Sequence, residues 1–125
     1  MAQKAGRVIG AEIVPQAIED AKENAARNGV EVATTCGNVF DVVKDYCEQG
    51  RQFGLVVCDP PAFAKNRKSL DAAYRGYKEI NYRAMKLLPR GGYLATCSCS
   101  HFMPDERFRR MLAAAAEDAA VSLRQ

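Results

Sequence analysis

A single histidine, five cysteines with no CxxC spacing, and no apolar run near the roughly 20 residues of a membrane span limit what this chain of 125 residues can be. So little histidine leaves zinc without its usual nitrogen ligands, and an odd cysteine count suits reduced thiols better than a disulfide framework. No metal site and no membrane partner are expected. Met1 to Arg7 leads straight into a strand-like segment without the apolar stretch of a signal peptide, which makes the expected location cytoplasmic. Charge of one sign is also scarce: the net value is +3, which admits a nucleic-acid partner without arguing for one. Basic residues do gather locally, at Lys65, Arg67, Lys68, Arg75 and Lys78, and again at Arg107, Arg109 and Arg110. Repeats, low-complexity tracts and linkers are missing. What remains is 48% hydrophobic and 26% charged, the composition of one ordinary globular domain.

The apolar pattern alternates between short strand-like runs and longer helical ones, which predicts an α/β chain with a mainly parallel sheet. Arg7 to Ile13 reads as a strand. Pro15 then suits a first helical position, Ile18, Ala21 and Ala25 mark one face, Glu23 and Arg27 pair at helical spacing, and Gly29 closes the helix. Val30 to Thr35 reads as a second strand, followed by a turn at Gly37-Asn38, a helix from Val39 to Glu48, and a break at Gln49-Gly50. Gly54 to Cys58 is a continuous apolar run, of the kind buried on both faces of a parallel sheet, and it stops at Asp59-Pro60-Pro61, where two prolines forbid further pairing. A polar loop is expected from Ala64 to Asp71. A helix over about Ala72 to Leu88 presents Ala73, Tyr77, Ile80, Ala84 and Leu87 on one face and ends near Pro89 and Gly91. The strand Tyr93 to Ser98 follows, then a helix opened by Pro104 through Phe108, Met111, Leu112 and Ala115, and Val121 to Leu123 reads as the start of another strand.

In an open parallel sheet ligands bind beyond the carboxyl ends of the strands, which directs attention to Glu12, Asn38, Asp59 and the segment Cys97 to His101. A carboxylate such as Glu12 can accept hydrogen bonds from both hydroxyls of a ribose; equally, it can favour the N-terminus of the helix that follows. Asn38 can address an adenine edge, with Phe40 or Val39 packing on the ring, or serve a turn. In Asp59-Pro60-Pro61-Ala62-Phe63 the prolines stiffen the backbone so that a carboxylate and an aromatic ring stand at the mouth of a crevice, although a rigid strand-ending turn has the same pattern. Cys97 and Cys99 share a facing by alternation, with Cys99 nearer the crevice, where a thiolate could attack an electrophilic ring carbon with Ser100 and His101 beside it; a buried cysteine is otherwise a small hydrophobe. A direct disulfide between the two is disfavoured by the roughly 7 Å that separates alternate strand residues.

Three strings then stand out together: Val57 to Lys65 (VCDPPAFAK), Gly76 to Asn81 (GYKEIN) and Thr96 to His101 (TCSCSH). Over roughly residues 30 to 115 the chain resembles the class I methyltransferase domain of the large-subunit ribosomal RNA cytosine-5 methyltransferases. The stretch Gly10 to Pro15, through Asn24 and Asn28-Gly29, is similar to the cofactor segment of the RNA uracil-5 methyltransferases. The resemblance implies a Rossmann-like class I methyltransferase sheet, incomplete here, because the glycine-rich first strand would precede Arg7 and the last strands would follow Leu123. It implies S-adenosylmethionine as cofactor, with Glu12 at its ribose, Asn38 at its adenine (where the family more often has aspartate), and Ile13, Val39 and Asp59 also among the cofactor-binding residues. It implies structured, ribosomal RNA as partner. Cys99 would add to carbon 6 of a pyrimidine so that carbon 5 takes the methyl group, and Asp59 would orient or protonate the base edge. Pro60, Phe63, Lys65 and Arg67 would receive a base drawn from its stack.

The similarity of the Gly10 to Pro15 stretch makes an RNA uracil-5 methyltransferase the close runner-up, and two further functions fit the same residues. An amino-group methyltransferase would use the Asp59 carboxylate to grip an exocyclic nitrogen and would need no thiol. A non-catalytic remnant would fold without binding cofactor or RNA. Incomplete sheet edges further predict self-association and weak or absent activity for the chain alone.

Overall fold

The computed structural model describes residues 5–63, 69–99 and 102–124. Lys65, Arg67, Lys68, Ser100 and His101, and most of the loop expected from Ala64 to Asp71, lie outside the described residues. Among those described, four short strands alternate with four helices, the α/β class that the apolar pattern predicts. The chain divides into two compact units, Met1–Asp45 and Tyr46–Gln125.

In the first unit β1 (Ile9–Glu12) runs parallel to β2 (Ala33–Cys36), with Ile9 opposite Ala33 and Glu12 opposite Cys36. A parallel pair needs a crossover, supplied here by α1 (Pro15–Arg27), which Pro15 opens at a position where the missing N–H costs nothing. Ile18 and Ala25 are buried beneath it. Ala21, expected on the same face, is exposed, because a sheet of two four-residue strands is too small to cover three turns of helix. Gly29 ends the crossover with φ +65, a conformation only glycine adopts without cost. The helix α2 (Val39–Glu48) then carries the chain across the boundary at Asp45.

In the second unit β3 (Leu55–Cys58) and β4 (Tyr93–Thr96) form another parallel pair, in register from Leu55 with Tyr93 to Cys58 with Thr96. The helices α3 (Leu70–Lys86) and α4 (Asp105–Asp118) supply its core. Tyr77 and Met111, both fully buried, pack with Ala73 and Met103, and Phe63, Tyr74, Phe108 and Leu112 close over them. A second cluster joins Met85 to Ala115, Ala116 and Ala119, with Leu94 of β4 against it. All five positions expected on the buried face of α3 are buried, and Asn81, a residue that periodicity had not marked, joins them at 0% exposure.

Three expectations are corrected. The run Gly54 to Cys58 is not buried on both faces: Leu55 and Val57 are 44% and 47% exposed, while Cys58 is buried, because the helices of this unit cover one face of the strand pair. Helix α3 begins at Leu70, so Leu70 and Asp71 belong to its first turn and not to the loop. Val121 to Leu123 form no strand. The Val121 N–H is spent on the Ala116 carbonyl, and the Ala120 N–H on that of Glu117, with Ala120 at φ 55. That double bond with a left-handed residue between is a Schellman closure of α4, and it turns the chain away from an extended path.

Candidate active site

At the carboxyl end of the first unit's strands, Glu12 is the last paired residue of β1 and Asn38 lies two residues beyond the last of β2. The Gly37 N–H donates to the Glu12 carbonyl at 2.9 Å, which extends the ladder to the turn that carries Asn38. Glu12 Oε1 accepts the N–H groups of Ile13 (2.8 Å) and Val14 (3.0 Å), so the carboxylate organises the entry into α1. Both bonds fall on one oxygen, and Oε2 has no hydrogen-bond partner among the described residues. Ile13 beside it is 62% exposed. The Cys36 thiol donates to the Ile13 carbonyl at 3.8 Å and ties the ends of the two strands together.

Asn38 is placed as the N-cap of α2. Its Oδ1 accepts the Phe40 N–H at 3.0 Å and its own carbonyl takes the N–H of Asp41 and of Val42. The side-chain amide nitrogen is what remains for a ligand, a donor where aspartate would offer an acceptor. Val39 is half-buried at the first position of the helix.

The second unit gathers Asp59, Cys97 and Cys99 at the carboxyl end of β3 and β4. The Cys97 N–H donates to the Cys58 carbonyl at 2.9 Å, one step beyond the last register pair, which fixes where the two strands part. Beyond that step Cys99 Sγ lies 3.7 Å from Asp59 Oδ1, with the thiol donating, and both residues are exposed. The negative Asp59 carboxylate, followed by desolvation, the hydrogen bond to Asp59 and Cys97, pushes the Cys99 thiol above its ordinary range. In this geometry the Cys99 thiol is the donor and the Asp59 carboxylate the acceptor of the contact. Cys58, one residue before Asp59, is buried, and burial together with the charge of Cys97 pushes its thiol up to about 11, so it remains a neutral core residue.

Pro60 is buried, which makes it a support of the turn and leaves it little surface for a ligand. Phe63 is half-buried, its ring centroid 4.7 Å from that of Tyr77 at 55°. Tyr77 also meets Phe108 edge-on at 6.0 Å, and its hydroxyl donates to the Pro61 carbonyl at 3.4 Å. The sequence puts Tyr77 on a buried helical face and within the Gly76 to Asn81 string; its link to the Asp59–Phe63 segment is a tertiary fact with no local signal. Among the described residues no group of three or more histidine, cysteine or acidic side chains is placed to hold a metal ion.

The family model described as "Methyltransferase domain" matches residues 1–122. Among curated proteins the chain is 42% identical, over 120 residues, to "Ribosomal RNA large subunit methyltransferase I" of Vibrio cholerae, covering 92% of this chain and 30% of that protein. The protein of the same name in Shewanella amazonensis is 41% identical over 123 residues, covering 94% of this chain and 31% of its own length. That of Erwinia tasmaniensis is 40% identical over 115 residues, covering 90% and 29%. The chain thus spans about three-tenths of the length of these relatives.

Proposed function

This chain belongs to the methyltransferase-domain family, and from that premise we propose that it serves an S-adenosylmethionine-dependent RNA methyltransferase that modifies carbon 5 of a cytosine in large-subunit ribosomal RNA. The names of its relatives support the ribosomal RNA substrate. The observation that carries the choice of atom is the Cys99 thiol 3.7 Å from the Asp59 carboxylate at the carboxyl end of a parallel strand pair, a nucleophile with a proton acceptor in contact.

The donor set of the first unit fits the cofactor. Glu12 Oε2 is available to the ribose hydroxyls, exposed Ile13 and half-buried Val39 offer apolar surface to the adenine, and the Asn38 amide offers a donor to a ring nitrogen. When bound, S-adenosylmethionine supplies the methyl group. Cys99 gives its proton to Asp59 as the sulfur adds to carbon 6 of the ring, and the protonated carboxyl then donates to the base edge. Addition makes carbon 5 electron-rich, and after it has taken the methyl group a base removes its proton while the sulfur leaves carbon 6. Pro60 holds the turn that presents Asp59. Phe63, together with Lys65 and Arg67, is assigned to the approach of the base, with one face of its ring already against Tyr77. We place the protein in the cytoplasm, where its RNA substrate would be.

A 5-fluorocytosine-substituted large-subunit ribosomal RNA transcript tests this reading in one turnover, because fluorine cannot leave as a proton does and the sulfur–carbon bond persists. With S-adenosylmethionine present, mass spectrometry should find an RNA adduct on Cys99 that survives denaturation and is absent from Cys99→Ala. Methylation that continues unchanged in Cys99→Ala would instead favour the amino-group reading, which needs no thiol.

A further inference from the structure

We propose that Tyr77 is a positioning residue that holds the Asp59–Phe63 segment so that the Asp59 carboxylate faces the Cys99 thiol. The inference deepens the proposed function and rests on Asp59 and Cys99 being its reacting pair. Its basis is geometric. Asp59 and Cys99 are both exposed and follow the last paired residues of their strands, so the ladder itself does not set their separation beyond the Cys97 to Cys58 bond. Two prolines restrict the backbone after Asp59, and buried Pro60 supports the turn, but neither has an N–H with which to tie the segment to the core. Tyr77 supplies the anchor. It is 0% exposed in α3, its hydroxyl donates to the Pro61 carbonyl, and its ring is clasped between Phe63 at 4.7 Å and Phe108 at 6.0 Å. One turn later, the Asn81 amide donates to the Tyr77 carbonyl at 2.8 Å from a fully buried position, which braces the helix where Tyr77 leaves it.

The division of labour between ring and hydroxyl follows from magnitudes. At 3.4 Å the O–H···O contact is long and contributes direction more than energy, whereas the two aromatic contacts add attraction beyond the burial of their rings. The ring therefore fixes where the segment lies and the hydroxyl fixes which way the Pro61 carbonyl points. Loss of either loosens Asp59 against Cys99. Because Asp59 opposes ionisation of that thiol, with Cys97 the other titratable group acting on it among the described residues, a loosened Asp59 brings the thiolate out at lower pH.

The test needs neither cofactor nor RNA, so it stands or falls apart from the methylation reading. In a Cys97→Ser background, Cys99 is the only thiol between Arg90 and Arg107, and its alkylation by iodoacetamide can be followed against pH by peptide mass spectrometry. The expected result is a lower alkylation midpoint in Tyr77→Phe, a lower one still in Tyr77→Leu, and the lowest in Asp59→Asn. Near neutral pH Tyr77→Phe should react roughly two- to fivefold faster than its parent, in step with its thiolate fraction. A folded Tyr77→Phe whose profile superimposes on that of the parent overturns the proposal, as does an Asp59→Asn profile that does not move. Should Tyr77→Leu unfold by circular dichroism, Tyr77→Phe decides.

Discussion

Cys58 and Cys99 are separated chemically by what surrounds each. Both thiols lie above the ordinary range, Cys58 chiefly through burial and Cys99 chiefly through the Asp59 carboxylate. For Cys58 this is also a statement about stability. An acid whose folded pKa is raised from 9.0 to about 11 favours the folded state while both forms are protonated, and that contribution is lost as pH rises through this window, because the unfolded chain ionises first. That rise corresponds to about 2–3 kcal/mol. Urea unfolding of Cys58→Ala should therefore show a weaker decline between pH 9 and 11 than the parent, even though the substitution lowers stability at pH 7. Equal slopes in the two proteins would remove Cys58 as the cause. At this scale the sequence was informative wherever a residue's position along its own strand decides its role: Glu12, Asp59 and Cys99 all stand at carboxyl ends, as the strand pattern predicts. It was uninformative where a neighbour distant in sequence decides. Burial of Pro60, the contact of Phe63 with Tyr77 and the capping use of Asn38 Oδ1 are set by the packing of α3 or by the start of α2.

Among the elements, the end of α4 shows how a local rule can defeat a pattern. Val121 to Leu123 has the residue types of a strand, but the Schellman closure at Ala120 commits the Val121 N–H to the helix. The cost sits on Ala120, since a left-handed conformation is unfavourable for an L-residue by roughly 1–2 kcal/mol, of which glycine would return a part through its greater freedom when unfolded. Ala120→Gly should consequently raise stability by about 0.5–1 kcal/mol in chemical denaturation; a loss of stability would mean that the left-handed turn is not the conformation in solution. The helix interiors were legible because their period is strong, as in α3 from Ala73 to Leu87. Strand lengths are overestimated at most ends, since apolar residues that flank a strand extend the pattern without extending the register: Val30, for one, spends its N–H on the Ala25 carbonyl of α1.

For the molecule as a whole, the described strands form two parallel pairs, β1 with β2 and β3 with β4, and each strand is paired on one side alone among the described residues. Leu55, Val57 and Tyr93 remain exposed on the second pair, the kind of surface and edge that invites association. The basic cluster on α4 is less available to RNA than its sequence suggests. Arg107 pairs with Asp71, Arg109 with Asp105 and Arg110 with Glu106, and Lys78 of α3 pairs with Asp118, so these cations are already offset by carboxylates. Exposed pairs of this kind add little stability, and their main effect is to leave no strongly positive face there. Among the described residues no helix is long and apolar enough to cross a membrane.

The central claim is that the carboxyl end of β1 and β2 holds S-adenosylmethionine through Glu12. Calorimetric titration of the folded chain with S-adenosylmethionine, repeated on Glu12→Gln, tests it most directly, because glutamine keeps an acceptor for the Ile13 and Val14 N–H groups while removing the charge. The expected result is saturable one-to-one binding to the parent, weakened roughly tenfold in Glu12→Gln, the difference between a charged and a neutral hydrogen-bond acceptor. Absence of binding by a folded parent, or equal affinity in the two proteins, would contradict it.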